Sequence, residues 1–384
     1  MKKKTVALIS LLAMLTTIAY ATPKKYKVTG IPFINSVEVE VEEVTATIPV
    51  PPTPPAPIPT PVPTPVPVPP TTAVRSRFAP TSFYNRKLAD NAPLSNQGFV
   101  TELVNQSKPK SAGGTAVYYP SINAKDYTTS VYIVTDKNIP KLPVTIVQNG
   151  AELTWSLLNT RTKAGIRIPG QLAGNPGGDG HIAIWDQVDD VYYEFWQFKN
   201  VNGKYQASWG GFIDDVSNSD GIVKPLKGAD GHIEKIGATA TSLPLMGGCM
   251  YYAELEKGVI PHTIGMATAW TANSWVWPAQ RTDSGVTYIS GPNAFGAGQR
   301  FRFPKDIVID PNWVPIVKMM VVAIRDYGLV VQDTTGGNSV GMYIENATQY
   351  GTKYDANKYF GGKQPWEFMQ QFPWNKLQAL DPSA

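Results

Sequence analysis

The residues best suited to chemistry lie between Asp179 and Gly211, in the stretch DGHIAIWDQVDDVYYEFWQFKNVNGKYQASWGG. There the imidazole of His181 and the carboxyl of Glu194 stand among Trp185, Tyr192, Trp196 and Trp209. A carboxyl group desolvated by aromatic neighbours has its pKa raised, as a general acid requires. Indole and phenol rings beside it suit stacking on sugars, because they combine a large apolar face with a polar edge. The pattern predicts a carbohydrate-handling surface with Glu194 as acid/base and His181 beside it. Asp179 and His262 are further catalytic candidates. Trp185, Tyr192, Trp196, Trp209 and Arg281 are candidate substrate contacts. Each has a plainer alternative: Glu194 as a structural carboxylate, the histidines as buried structural groups, and the tryptophans as packing.

Glycoside hydrolysis usually needs two carboxyl groups, about 5–5.5 Å apart for retention and about 6.5–9.5 Å for inversion. Asp179 shares the face of Glu194 but lies two pair-steps away, whereas Asp186 falls on the opposite face. Glu254, Asp283 and Asp333 would have to arrive from other segments. A lyase would instead need a base such as His181 and a cation for the substrate carboxylate, for instance Arg281 or Arg300. No metal site or cofactor is predicted, since the spacings of His181, His232 and His262 match no metal-ligand pattern. A pair of Cys249, expected at a helix N-terminus, with His262 is a weaker nucleophilic option.

The elements that must position these groups follow from the turns. Asn202-Gly203 marks a two-residue hairpin, because both residues tolerate positive φ. Symmetry about it sets Trp196 opposite Trp209 and Glu194 opposite Gly211. A turn at 187–190 sets Ala183 opposite Glu194 and His181 opposite Trp196. With side chains alternating along each strand, His181, Trp185, Tyr192, Glu194, Trp196 and Trp209 share one face. Ile182, Ile184, Val191, Tyr193 and Phe195 form the other, read as core.

The rest of the chain has the composition of a β-rich protein, with 10 Trp, 18 Tyr and 33 Gly. The expected fold is mainly β, an antiparallel, jelly-roll-like β-sandwich with a few short helices. One longer helix is predicted near 313–327, where Ile316, Met320, Ala323, Ile324 and Tyr327 form a stripe at helical spacing. A short helix over 251–257 should end at Gly258. The expected organisation is a signal peptide over 1–21, a short stub over 22–48, a proline-rich linker over 49–72 and a globular domain over 75–384. The linker favours polyproline II and would reach roughly 70 Å if fully extended. A single cysteine excludes an intrachain disulfide. The net charge is only +4 and no basic run follows the leader, which speaks against a nucleic-acid partner. No segment beyond the leader is apolar enough to span a membrane.

From Phe78 to Asn346 the chain resembles a group of secreted bacterial proteins. The resemblance is carried by FAPTSFYN (Phe78 to Asn85), GDGHIAIWD (Gly178 to Asp186), YYEFW (Tyr192 to Trp196) and WGGFIDDVSNS (Trp209 to Ser219). It continues in ATATSLPLMGG (Ala238 to Gly248), ELEKGVIPHTI (Glu254 to Ile264), VWPAQR (Val276 to Arg281), RFRFP (Arg300 to Pro304) and AIRDYGLVVQD (Ala323 to Asp333). It implies one domain of about 270 residues and brings no activity with it. The relatives look similar at His181, Asp186, Glu194, Glu254, His262 and Asp333. Where many of them carry an Asp before Leu243-Pro244, this chain has Thr239. The expected function is a secreted or cell-surface polysaccharide hydrolase acting on a polysaccharide or cell-surface glycan. The alternatives are a non-catalytic carbohydrate-binding or adhesion module, and a polysaccharide lyase.

Overall fold

A computed structural model describes residues 77–111, 117–170, 172, 174–175, 177–283, 288–347 and 356–384, together with two short strands nearer the N-terminus. Those strands, Tyr26–Val28 and Val37–Val39, form an antiparallel pair in a unit that ends at Thr64. The predicted signal peptide and the whole proline-rich segment lie outside the described residues. The larger unit spans Pro65–Ala384.

The larger unit is built mostly of strands, in sheets that are mixed rather than purely antiparallel. A four-stranded sheet has the order Trp209–Ile213, Val191–Trp196, Ile182–Asp186, Ser130–Val134, and its last pair is parallel. A second carries Lys199–Val201, Lys204–Ala207, Val144–Gln148 and Ala151–Glu152. A six-stranded sheet has Leu329–Thr334 and Ile264–Thr268, a parallel pair, at its centre. Four strand pairings among the described residues are parallel, which corrects the expectation of a purely antiparallel architecture. Parallel strands cannot be joined by tight hairpins, so turn signals in the sequence could not reveal them. The described sheets form no closed barrel.

Within the first sheet the register is the expected one. Ala183 faces Glu194, Trp196 faces Trp209, and Glu194 faces Gly211. The hairpin at Asn202-Gly203 is also present, with Val201 opposite Lys204. It does not extend the first sheet, however. Gln197 adopts φ 53°, the ribbon turns there, and Tyr205–Ala207 pairs with Val144–Ile146 of the second sheet.

The face expected to be open is covered. Ala183, Trp185, Tyr192 and Glu194 are all buried, as are Ile182, Ile184 and Phe195 on the other side. Leu243, Met246, Cys249 and Tyr251 join the same hydrophobic cluster. Gly211 permits the cover to approach, and Gly210 permits close pairing with the neighbouring strand. A Cβ on Gly211 would lie 2.9 Å from the backbone of Gly237, and one on Gly210 would lie 2.3 Å from the Glu194 carbonyl oxygen. Gly237 itself has φ 132°, open only to glycine.

The helices are close to expectation. Pro315–Asp326 starts with proline in its first turn and buries Ile316, Met320, Ala323 and Ile324. Gly328 (φ 101°) then turns the chain into Leu329–Thr334. That strand separates two hydrophobic clusters, with Leu329 and Val331 in one and Val330 in the other. Tyr252–Lys257 ends at Gly258 in the left-handed conformation. Among the described residues no helix is long and apolar enough to cross a membrane.

Candidate functional site

A cleft of about 470 Å³ opens where one end of the first sheet meets the end of Leu329–Thr334. His181 lies immediately before Ile182–Asp186, Trp196 ends Val191–Trp196 and Trp209 starts Trp209–Ile213, so antiparallel pairing brings all three to the same sheet end. Asp179 joins them, and its Oδ1 accepts the Trp196 indole N–H at 3.3 Å. Arg281 and Asp283 enter from the segment after the cis Trp277-Pro278 bond. Gln148 and Trp155 come from the strand and turn of the second sheet, and Asp333 and Thr334 from the six-stranded sheet.

Asp333 reaches the cleft through an irregularity in the sheet. Val331 pairs with Met266, the register then slips, and Asp333, rather than Gln332, faces Ala267. Such a bulge re-aims the side chains that follow it. Asp333 Oδ1 accepts the N–H groups of Ala240 and Thr334, both at 2.9 Å, and Oδ2 lies 3.1 Å from the Tyr343 hydroxyl. Burial pushes its pKa up to about 7, against the pull of those two N–H donors, and the charges of Asp283 and Asp179 add to the rise. Burial also raises Asp283, opposed by Arg281, whose Nη1 lies 3.9 Å from Asp283 Oδ1.

His181 is buried, and its Nε2 meets no partner among the described residues. Burial lowers its pKa, while Asp179, Glu194 and the Ala238 backbone work in the opposite sense. The ring is therefore biased toward the neutral form, able to accept a proton. Arg281 is fixed by its Nη2, which donates to the carbonyls of Gly237 and Thr239 at 3.2 and 2.7 Å. Thr239 contributes no carboxyl here; its hydroxyl donates to the Leu243 carbonyl.

The structure places the remaining expected residues elsewhere. Glu194 is fully buried and absent from the cleft lining. Its Oε1 accepts the N–H of Ala238 at 2.7 Å, and its Oε2 accepts the N–H of Leu245 at 2.8 Å and the Tyr192 hydroxyl at 2.7 Å. Burial raises its pKa although these three donors oppose the rise. Ala238 does line the cleft, so Glu194 holds the cleft wall from the other side. Tyr192 is engaged with Glu194 and with the N–H of Met246. Trp185 is core, its N–H directed at Asp190. Asp186 is bound to Arg167 at 2.8 Å, away from the cleft.

His262 belongs to a separate buried cluster. Its Nε2 lies 3.1 Å from Glu254 Oε2, and its Nδ1 lies 2.8 Å from the Thr263 carbonyl. Arg77 Nη1 sits 3.1 Å from Glu254 Oε1, with its guanidinium over the Tyr251 ring. Cys249 follows the short helix Leu245–Gly248 instead of starting one, and burial pushes its thiol pKa well up. Among the described residues no group of three or more His, Cys, Asp and Glu is arranged to hold a metal ion.

Of the expected site residues, the cleft thus gathers Asp179, His181, Trp196, Trp209 and Arg281. It adds Asp283 and Asp333, which sequence reasoning named only as carboxylates that would have to arrive from afar. It also adds Trp155, whose single sequence cue is the helix-capping Ser156 that follows it. No protein-family model, curated protein or solved structure matches this chain.

Proposed function

We propose that this chain is a glycan hydrolase with Asp333 as its general acid. The observation that carries this reading is a buried carboxyl, with a pKa of about 7, facing a tryptophan-edged cleft that holds two further carboxyl groups. A group protonated near neutrality can deliver its proton to the glycosidic oxygen as the C–O bond breaks. Asp179, oriented by the Trp196 N–H, supplies the second carboxylate and accepts the proton of the attacking water. Trp196 and Trp209 stack on the sugar, and Arg281 with Asp283 offers polar contacts to its hydroxyls. The acid is thereby moved from Glu194, which does not line the cleft, to Asp333, which does. The sheets packing as a sandwich, and secretion directed by the leader with the proline-rich segment as spacer, belong to the same proposal.

One observation favours a lyase as second reading: the unpartnered Nε2 of His181 shares the cleft with Arg281. A single assay separates the two. A panel of polysaccharides is incubated with wild type, Asp333→Asn and His181→Ala, and both reducing ends and unsaturated-uronate absorbance are read. The hydrolase reading expects reducing ends without absorbance, lost in Asp333→Asn. Absorbance that is lost in His181→Ala would establish the lyase, and activity untouched in Asp333→Asn would remove the assignment of the acid.

A further inference from the structure

Trp155 is 62 % exposed, yet the backbone that carries it is held firmly. Trp155 lies in a turn closed by the Ser156 N–H on the Leu153 carbonyl at 3.1 Å. Ser156 caps the helix Leu157–Lys163 and is itself fully buried. Beneath it lies the buried carboxylate of Glu234. Its Oε1 accepts the Ser156 hydroxyl at 2.6 Å, and its Oε2 accepts the N–H groups of Leu157 and Leu158 at 2.7 and 3.3 Å. Asn159 ties the same turn of helix to the second sheet by accepting the Ile146 N–H at 2.8 Å.

Packing does not explain the ring, since Trp155 belongs to neither large hydrophobic cluster. A large aromatic surface left in water on a fixed support suits ligand binding, because little conformational freedom remains to be lost on contact. Trp155 also lines the cleft with Trp196, Trp209 and the three aspartates. Glu234 is joined to this wall by the chain itself, which runs on through Gly237 to Ala238.

Resting on the glycan reading, we infer that Trp155 is a preformed stacking platform for a sugar ring beyond the one held at Asp333, so that the ligand is an oligomeric or polymeric glycan. Polar groups at the centre fix one ring; the platform rewards chains long enough to reach it.

The test uses the full chain carrying Asp333→Asn, so that ligands survive. Disaccharides and hexasaccharides of cellulose, xylan, chitin and mannan are titrated calorimetrically. Trp155→Ala should weaken the preferred hexasaccharide by about tenfold and leave its disaccharide within about twofold. Trp155→Tyr should restore most of the loss, and Trp366→Ala, an exposed tryptophan outside the cleft lining, should change neither. An unchanged hexasaccharide affinity in Trp155→Ala, an equal loss for both lengths, or no binding by the parent chain would overturn the inference. Hydrolysis that persists in Asp333→Asn would remove the proposed acid without touching the platform.

Discussion

Two buried histidine–carboxylate clusters occur among the described residues, and they differ in what is left unpaired. In the Arg77–Glu254–His262 cluster, both carboxylate oxygens of Glu254 and both imidazole nitrogens face a partner. The result is a Glu254 pKa held at about 2, because the His262 and Arg77 charges overcome the burial that would raise it. In the cleft, His181 Nε2, Arg281 Nε and the Trp209 N–H have no partner among the described residues, and burial pushes Asp333 up to about 7. A raised pKa is not by itself the mark of the site. Glu345, near the first cluster, is also pushed to about 7 by burial, but it does not line the cleft, and its Oε1 takes the Tyr252 N–H at 2.6 Å. Buried polar groups are normally satisfied. Orphaned ones gathered at a solvent-facing cavity are what distinguish the cleft from the sealed cluster.

The comparison is sharpened most by removing one carboxyl from each side. Asp333→Asn is expected to lower kcat by roughly 10²–10⁴-fold, the usual contribution of a positioned acid. Its melting temperature should stay near that of wild type, as read by calorimetry. Glu254→Gln should do the reverse. Breaking a buried ion pair costs about 3–5 kcal/mol, seen as a lowered denaturation midpoint, with kcat retained where the variant remains folded.

Glu194→Gln tests the intermediate case. An amide cannot accept from Ala238, Leu245 and Tyr192 together, so a buried N–H is left unsatisfied, at about 1–3 kcal/mol. Denaturant melts should show that loss, with activity reduced only as far as the Ala238 wall shifts. If Glu194→Gln abolished kcat in a fully folded protein, the acid would have to be placed back at Glu194.

The pH dependences of the two regions should also run in opposite directions. Glu254 has its folded pKa lowered from 4.5 to about 2. It therefore contributes stability above about 4.5 that is lost as pH falls toward 2. Asp333 is raised from 3.8 to about 7. Stability linked to it is greatest below about 4 and declines as pH rises through 7, and hydrolysis should fall over the same upper limb. Stability measured from pH 4 to 8 should decline less steeply in Asp333→Asn than in wild type. The smallest effect expected is from Trp209→Ala, a few-fold rise in KM with kcat nearly unchanged.

Local signals carried much of the first sheet. Two turns were enough to set Trp196 against Trp209 and Ala183 against Glu194, because side-chain alternation transmits a turn's register along the strands. The same reasoning could not see the ribbon change sheets at Gln197, since the residue pairing across Asn202-Gly203 keeps its parity through the bend. Nor could it see that the face bearing Glu194 is covered. The cover arrives from residues 237–251, and its close approach depends on Gly211, which in the sequence reads simply as a strand glycine. Asp333 was the hardest to place. It reaches the cleft through a bulge between parallel strands whose pairing is not local in sequence.

An isotope-edited infrared titration of the aspartate carboxyls, in wild type and Asp333→Asn, bears most directly on the central claim. A carboxyl band that converts to carboxylate near pH 7 in wild type and is missing from Asp333→Asn is the predicted result. Aspartates that all ionise near their ordinary value of about 4, with the two spectra indistinguishable at pH 6, would contradict it.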